Sequence, residues 1–547
     1  MISFAFVATH NHFVLERGGN VFNRTAPVIK LPTDSTEEQY LALLGLLNSS
    51  TACFWGRQTL FPKGGFAAGK WEERLEWDGT KLLQFPLPTD RPLALTRQLD
   101  ELSQQIDGLT PASVISSQWS VLEDEDVEYL TLRRRLTSGY VKWQKIRSQM
   151  IVLQEELDWQ CYLLYRLIDE DLTYSQEPRT IQLGQRAFEI VMARKVAAGE
   201  METTWFERHG STPITEIPAD WSDEYKRLVE RRIELIETDP NIRLIEQPEY
   251  KRRWNTEPWE SQLERALRNW LLDRLESYFD SDGRMNEEGK PTAKIDISLI
   301  SIAKLADIAQ QDTNFMQVGE LYRNDAAFDV QKLVTELVEA ESVPLLPVLR
   351  YKPSGLRKRA EWEKTWELQR QEDAIDAHNK LPKDDPDYLD LFKTRELKQR
   401  EIGDIPVPPK YTSSDFQSHY WRLRGKLDVL KERWVSFPYC EGDDSTLIIA
   451  WAGYDHLQLT SAISGYYVDV QERLGGRDDP RLLPLLAGLL ELLPWLKQWH
   501  NDLDLTYNTQ MGDYFEGFIQ DEARQMGRTP EQIRAWEPPQ RAGRRRS

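Results

Sequence analysis

Cysteine is scarce: Cys53, Cys161 and Cys440 are the only three among 547 residues. Three thiols this far apart exclude the disulfide framework of a small secreted protein and a cysteine-rich zinc site, and they fit a reducing cytoplasm. Long hydrophobic runs are missing too. The greasiest stretch, 482–493, contains Pro484 and Glu491 and falls well short of the ~20 apolar residues of a membrane span, so it reads as a buried helix. The apolar start, Ile2 to Ala8, has no basic residue before it, which excludes a secretory signal. Positive charge is the minority sign, with 69 Lys+Arg against 89 Asp+Glu and a net charge of −20. That balance excludes a protein that coats nucleic acid non-specifically, because phosphate binding is carried by Lys and Arg. It does not exclude a protein that touches DNA through one or two surfaces, since screening confines charge effects to about 8 Å at physiological salt.

Catalytic motifs are absent as well. An enzyme that methylates a flipped adenine needs a Gly-rich cofactor turn and an Asn/Asp-Pro-Pro-aromatic loop for the base. The Pro-Pro pairs here, Pro408-Pro409 and Pro538-Pro539, follow Val407 and Glu537 and precede Lys410 and Gln540. No nucleophile elbow, H-E-x-x-H or kinase set appears.

What is present is aromatic and mainly helical. Aromatics make up 10% of the chain, with 19 Trp, which argues against global disorder. The length suggests three or four domains at roughly 150 residues each. Ile2–Val7, Phe13–Leu15 and Val21-Phe22 are β-prone, and Gly18-Gly19-Asn20 supplies a hairpin turn between the last two. Ala26–Leu31 reads as a further strand. Thr36 followed by Gln39 starts an amphipathic helix with Leu41, Leu44 and Leu47 on one face. Residues 82–88 look extended. From residue 91 the periodicity turns helical, including a long helix over about 123–168. A linker falls at 281–293. Residues 350–359 read as a basic loop, 380–412 as an exposed Pro- and charge-rich connection, and 434–437 and 447–451 as short strands. The expected fold is α+β and predominantly α. A small β-rich module occupies 1–90, a helical body 91–280, a mainly helical C-terminal domain 295–537, and a basic disordered tail 538–547.

Several constellations invite a chemical reading. Gly64 to Lys70 matches G-x-x-x-x-G-K but lacks the Ser/Thr that holds Mg²⁺ in a phosphate loop, so a flexible loop is expected. His10 and His12 share one strand face without a third metal ligand nearby, so a polar strand end is expected and no metal. Asp387, Glu396 and Lys398 have the spacing of many Mg²⁺ nucleases, in a charged context that reads as solvated helix. Glu155, Glu156 and Asp158 form an acidic cluster that reads as a solvated helix face pairing with Arg166 or Lys145. Residues 131–148 carry six basic residues and no acidic one, residues 350–359 carry five and none, and the tail carries four. Phosphate contact competes with internal ion pairing in the second stretch, and ion pairing is favoured in the first.

Longer phrases carry a resemblance. AFVATHNHFVLERGGNVFNRTAPVIKLP (5–32), YLALLGLLNSSTACFW (40–55) and WDGTKLLQFPLP (77–88) resemble the target-recognition segment of large Eco57I-like, type IIG-like DNA adenine methyltransferases. Within these they resemble the PglX-like enzymes of BREX phage-defence systems. LQEELDWQCYLLYRL (153–167), RAFEIVMARK (186–195), WFERHGSTPITEIP (205–218) and LIEQPEYKRRW (244–254) resemble the helical region that follows. VLRYKPSGLRKRAEWEKTWELQRQEDAID (348–376) and LAGLLELLPWLKQWHND (486–502) resemble the C-terminal domain of the same proteins. The resemblance implies the C-terminal half of such an enzyme, a target-recognition and assembly part whose catalytic domain lies on another polypeptide or has been lost. It implies no catalytic residue, metal or cofactor in this chain, with S-adenosylmethionine on the missing domain. It implies as partners double-stranded DNA, a separate N-terminal methyltransferase polypeptide if the enzyme is split, and other defence proteins, in the cytoplasm and away from membranes.

Within that expectation Arg17, Asn20, Asn23, Arg24, Lys63 and Lys70 are candidates for DNA contact, and Arg350, Lys352, Arg357, Lys358 and Arg359 form a second candidate phosphate surface. Arg and Asn suit guanine and adenine edges, and Lys suits phosphates. For Asn20 and Asn23 turn chemistry is an equal alternative. Two other readings stay open: an interaction remnant that no longer reads DNA, and a Mg²⁺-dependent nuclease.

Overall fold

The computed structural model describes residues 1–63, 73–117, 132–174, 176, 181–279, 295–424, 432–505 and 508–539. The Gly64–Lys70 loop with its candidate Lys70, the first part of the expected long helix, the 281–293 linker and the tail arginines lie outside them. The chain forms two compact units, residues 1–266 and 267–547. The fold is predominantly helical with small sheets, as the periodicities predict.

The first unit begins with β1 (Ile2–Phe4), β2 (Val7–Ala8), β3 (Phe13–Leu15) and β4 (Val28–Ile29). β1 is central, antiparallel to β3 with Ile2 opposite Leu15 and to β4 with Ile2 opposite Ile29. In β3 Phe13 and Leu15 are buried and Val14 is exposed, the period of two that fixes register. The hairpin partner differs from the expected one. Gly18 and Gly19 do turn the chain with φ of +127° and +82°, but Val21 is fully exposed and forms no strand. The chain instead runs on to add β4 to the free edge of β1, where Ile29 packs against the core of this module.

Helix α1 (Glu37–Leu47) starts with the expected Thr36/Gln39 capping box, and Ser49 caps α2 (Ser50–Thr59). Short strands β5 (Phe61–Pro62) and β6 (Leu75–Glu76) pair with each other, and β6 also with β2. Then come α3 (Gly79–Leu82), α4 (Leu93–Asp107) and α5 (Pro111–Ser117). α1 and α4 approach so closely that a Cβ on Gly45 would lie 2.0 Å from Thr96 Oγ1.

The organising element is α6 (Leu132–Leu164). Leu157 and Cys161 pack with the N-terminal strands and α1. Met150, Ile151, Val152, Trp159 and Tyr162 pack into a second core with α7 (Ala187–Ala197), α9 (Asp223–Thr238) and α10 (Pro240–Ile245), beside the one-turn α8 (Trp205–Arg208). The β-rich module and the helical layer thus share one helix. The division at residue 266 falls within α11 (Trp259–Glu276).

The second unit contains β7 (Ile300–Ser301), α12 (Ile302–Gln310), α13 (Thr313–Arg323), α14 (Val330–Glu341), β8 (Ser342–Pro344), α15 (Pro347–Arg350), α16 (Pro353–Asn379), α17 (Leu391–Glu401) and α18 (Ser418–Arg424). β9 (Trp434–Ser436) and β10 (Ile448–Trp451) fall where two short strands are expected, and the sheet runs β7-β10-β9-β8 with β8 parallel to β9. α19 (His456–Asp469), α20 (Leu482–Trp499), α21 (Met511–Gln525) and α22 (Pro530–Arg534) complete the unit around a core in which the apolar 482–493 stretch is buried as expected.

Two expectations change here. Residues 350–359 are not a loop: Pro353 occupies the first turn of α16, where its fixed φ and missing N–H favour a helix start. The 380–412 connection contains α17, capped by Asp390, whose carboxylate accepts from the backbone N–H groups of Phe392 and Lys393. No described helix is long and apolar enough to cross a membrane.

Candidate nucleic-acid interface

The first set of candidate residues, Lys70 apart, is exposed on the β-rich module, and most of it is engaged. Arg17 donates to Glu37 at 2.5 Å and Asp100 at 2.6 Å. Asn20 donates to Glu16 at 2.9 Å, and Asn23 accepts from Thr25 N at 2.9 Å and Thr25 Oγ1 at 2.6 Å, which is the turn chemistry Asn favours. Arg24 lies 5.8 Å from the Phe6 ring centroid, and Lys63 pairs with Glu76 at 2.8 Å.

The second set sits on α15 and the start of α16. Arg359 is ion-paired with Glu491 and with Glu363, and Arg350 lies 3.9 Å from the same Glu491 carboxylate. Lys358 pairs with Asp415 at 2.6 Å, and that cation holds the Asp415 carboxyl well below its usual range. Lys352 is tied through its backbone to Asp415 O at 2.8 Å. Arg357 is exposed and, among the described residues, makes no ion pair.

The basic run on α6 behaves differently from its reading as a self-paired face. Arg133, Arg134, Lys142 and Lys145 are exposed, and none of them makes an ion pair within the described residues.

The acidic cluster requires a larger correction. Glu155, Glu156 and Asp158 are not solvated and do not meet Arg166 or Lys145; each is 4% exposed or less. Glu156 pairs with buried Arg232 at 2.6 Å, and Asp158 with buried Lys251 at 2.9 Å, which also meets Glu246 at 2.8 Å. Glu155 accepts from Ala187 N, and burial pushes its carboxyl up to about 7 against the opposing charge of Arg232. Beside them Arg186 and Glu189 form a fully buried pair at 2.8 Å. The nuclease-like spacing also dissolves. Glu396 and Lys398 lie on α17, and Lys398 is held by Asp376 at 2.5 Å and Glu372 at 3.4 Å, with no metal-ligating cluster among the described residues.

A cationic site that the sequence reading missed surrounds the loop from Thr9 to His12, between β2 and β3. Asn11 anchors the loop by donating to Leu47 O and Ser49 O at 2.7 and 2.9 Å. Arg57 on α2 donates to Thr9 O at 2.8 Å and Glu249 O at 3.0 Å, with Glu73 at 3.8 Å. Arg253 donates to Thr9 Oγ1 at 2.7 Å. Arg252 lies 5.2 Å from the Trp254 ring centroid and reaches Asn48 Oδ1 at 3.4 Å, and Arg147 donates to Trp254 O. Burial, then the charges of Arg253 and Arg252, holds His10 down at about 3. His12 is exposed overall and is pushed down as well, by the part of its ring that is shielded from water and by Arg252. Both rings are therefore neutral at physiological pH, and the loop sits in a positive field. The only local signal was Lys251-Arg252-Arg253 itself. Its partners at 57 and 147 are too distant in sequence for a search by acid-free runs.

This arrangement can bind an anion; it offers neither a metal site nor a nucleophile paired with a base. The model of a domain of unknown function, DUF7008, matches residues 150–547. The adenine-specific methyltransferase PglX of Streptomyces coelicolor is 45% identical over an alignment of 562 positions that covers 100% of this chain and 43% of that protein, in its C-terminal part. The chain thus spans less than half the length of this curated relative. No solved structure matches.

Proposed function

The chain belongs to the DUF7008 family and is similar along its whole length to the C-terminal part of a PglX methyltransferase, and from that premise we propose that it is the DNA-targeting and assembly part of a site-specific adenine-N6 DNA methyltransferase. The single observation that carries the reading is the 45% identity across all of the chain. S-adenosylmethionine and the base-flipping loop belong to a catalytic portion outside these residues. The system served is a BREX-type phage defence, and the partners are duplex DNA, the catalytic polypeptide and other defence proteins. The exposed Arg133, Arg134, Lys142 and Lys145 support a DNA-facing role, as cations available for phosphates.

The test has two parts. The purified chain is titrated with duplex DNA across a salt series, and it is mixed with a polypeptide carrying the catalytic portion while N6-methyladenine is measured by mass spectrometry. Salt-dependent binding and methylation that needs both polypeptides are expected. Absence of both overturns the reading. A complex with the catalytic polypeptide that neither binds DNA nor methylates it favours the interaction-remnant alternative instead.

A further inference from the structure

The cations of the first unit differ in how far their charge is already used. Arg17 faces two carboxylates and Lys63 faces one, and Lys251, Arg232 and Arg186 are locked in the buried network. Arg252 is different. The one polar contact of its side chain among the described residues is a long bond to a neutral amide at 3.4 Å, and no carboxylate there lies within ion-pair distance. It is half-buried and lines a cleft of about 90 Å³ with His12, Asn48, Ser103, Gln154 and Trp254. A guanidinium with no carboxylate paired to it is costly to hold away from water; burial depresses its basicity, and the charge of Asp158 offsets that only in part. The Trp254 face restrains the fork, and the neutral His12 ring and the Ser103 hydroxyl line the cleft as further potential donors. Asp100 also lines it, but that carboxylate is held by Arg17 through two bonds at 2.6 and 3.4 Å. A half-buried Arg fork beside neutral donors is an arrangement suited to a tetrahedral oxyanion. The cleft also lies next to α6, and Lys145 is exposed on that helix nine residues from Gln154, roughly 14 Å along its axis at 1.5 Å per residue.

We propose that Arg252, in the cleft it shares with His12 and Gln154, seats a phosphate group, and that on the DNA-targeting reading above this group is a backbone phosphodiester of the duplex. The contact is independent of sequence and positions the duplex for contacts that read bases.

The test uses the full chain and two probes. In anisotropy titrations with a mixed-sequence duplex, Arg252→Gln should flatten the slope of log affinity against log salt by about 0.9, equivalent to roughly a threefold smaller loss between 50 and 200 mM salt, and Arg252→Lys should restore the slope. In thermal melts, inorganic phosphate should raise the melting temperature of the wild type and not of Arg252→Gln. Wild-type chain supplies a readout that needs no folded variant: phosphate should move the His12 imidazole resonance, assigned with His12→Gln. DNA binding with an Arg252→Gln slope equal to wild type overturns the inference and leaves the DNA reading standing. A phosphate response that depends on Arg252, in a chain without DNA affinity, supports the anion seat and overturns the DNA reading. A wild-type His12 signal indifferent to phosphate, with melts indifferent as well, overturns the seat.

Discussion

Replacing Asp158 with Ala tests the buried charge network directly. The carboxylate is 1% exposed. It accepts from Ser50 N at 2.8 Å and Ser50 Oγ at 2.6 Å at the start of α2, from Lys251 at 2.9 Å and from Gln154 at 3.3 Å. It therefore ties α2 of the β-rich module to α6 and to the 246–253 segment. Removing one partner of a buried ion pair costs about 3–5 kcal/mol, because the other charge stays buried. Lys251 keeps Glu246 at 2.8 Å, which moves the ion-pair loss toward the lower end, but the Ser50 amide and hydroxyl lose a charged acceptor worth about 1.5–3 kcal/mol per bond. These terms overlap, so a loss of about 4 kcal/mol is expected. At roughly 2–4 °C per kcal/mol for 150–250 residues, the transition of the first unit should fall by about 8–16 °C in differential scanning calorimetry, and that of the second unit should stay put. Asp158→Asn, which keeps an acceptor for Ser50, should lose less. A solvated helix face predicts a change within about 0.5 kcal/mol. A melting temperature of Asp158→Ala within about 2 °C of wild type would refute the network as the anchor of α2.

Four further outcomes follow from the packing of the two units. Burial raises the folded-state pKa of Glu155 to about 7, above the ~4.3 of an unfolded Glu. Its protonated form is thus favoured by folding, and stability should fall by about 1–3 kcal/mol as pH rises from the unfolded range through 7; Glu155→Gln should flatten that dependence in urea titrations at several pH values. A Cβ on Gly355 would lie 2.3 Å from Asp415 O, so Gly355→Ala should destabilise the second unit by about 1–3 kcal/mol, seen as a lower urea midpoint. Arg359→Gln removes the main cation from the part-buried Glu491 and should lower that unit's melting temperature. Arg357→Gln, at an exposed residue, should leave stability within about 0.5 kcal/mol and, if Arg357 meets a phosphate, reduce the salt slope of DNA binding by about 0.9.

Local rules read local structure well. Thr36 with Gln39 acts through a backbone N–H group three residues away, and such signals survive in any tertiary context. The alternation in Phe13–Leu15 fixed a buried face, but the partner strand was misassigned, because pairing is settled by which edge is free and not by the nearest turn. For the basic 350–359 stretch the choice between phosphate contact and internal ion pairing stayed open for a similar reason. The run holds no acid of its own, and its partners Glu491 and Asp415 lie more than 50 residues away in sequence and close in space. The acidic helix over 155–158 failed most completely. Between Met150 and Tyr162 α6 is buried on nearly every side, so the one-faced period that separates core from solvent is lost. Its counter-ions, Arg232 and Lys251, are 76 and 93 residues away from their partners.

The same separation changes what a net charge of −20 means. Glu155, Glu156, Asp158, Glu189 and Glu246 face Arg186, Arg232 and Lys251 in the interior of the first unit. Three of the five carboxylates are matched by these cations, and burial favours the protonated form of Glu155, so most of this acidity is offset inside the protein and projects little field beyond it. A DNA phosphate senses the cations that are left over, and in this unit they are concentrated: Arg252 and its neighbours around the Thr9–His12 loop, and the exposed basic residues of α6. The depressed histidines report that local field independently of any count, since His10 and His12 are each pushed down partly by arginines that the total charge hides. An acidic chain can therefore approach a polyanion along one helix and one cleft while its remaining surface repels it. On the proposed DNA-targeting function, that distribution of charge would hold the duplex in one orientation and bind it weakly elsewhere, as a positioning subunit requires.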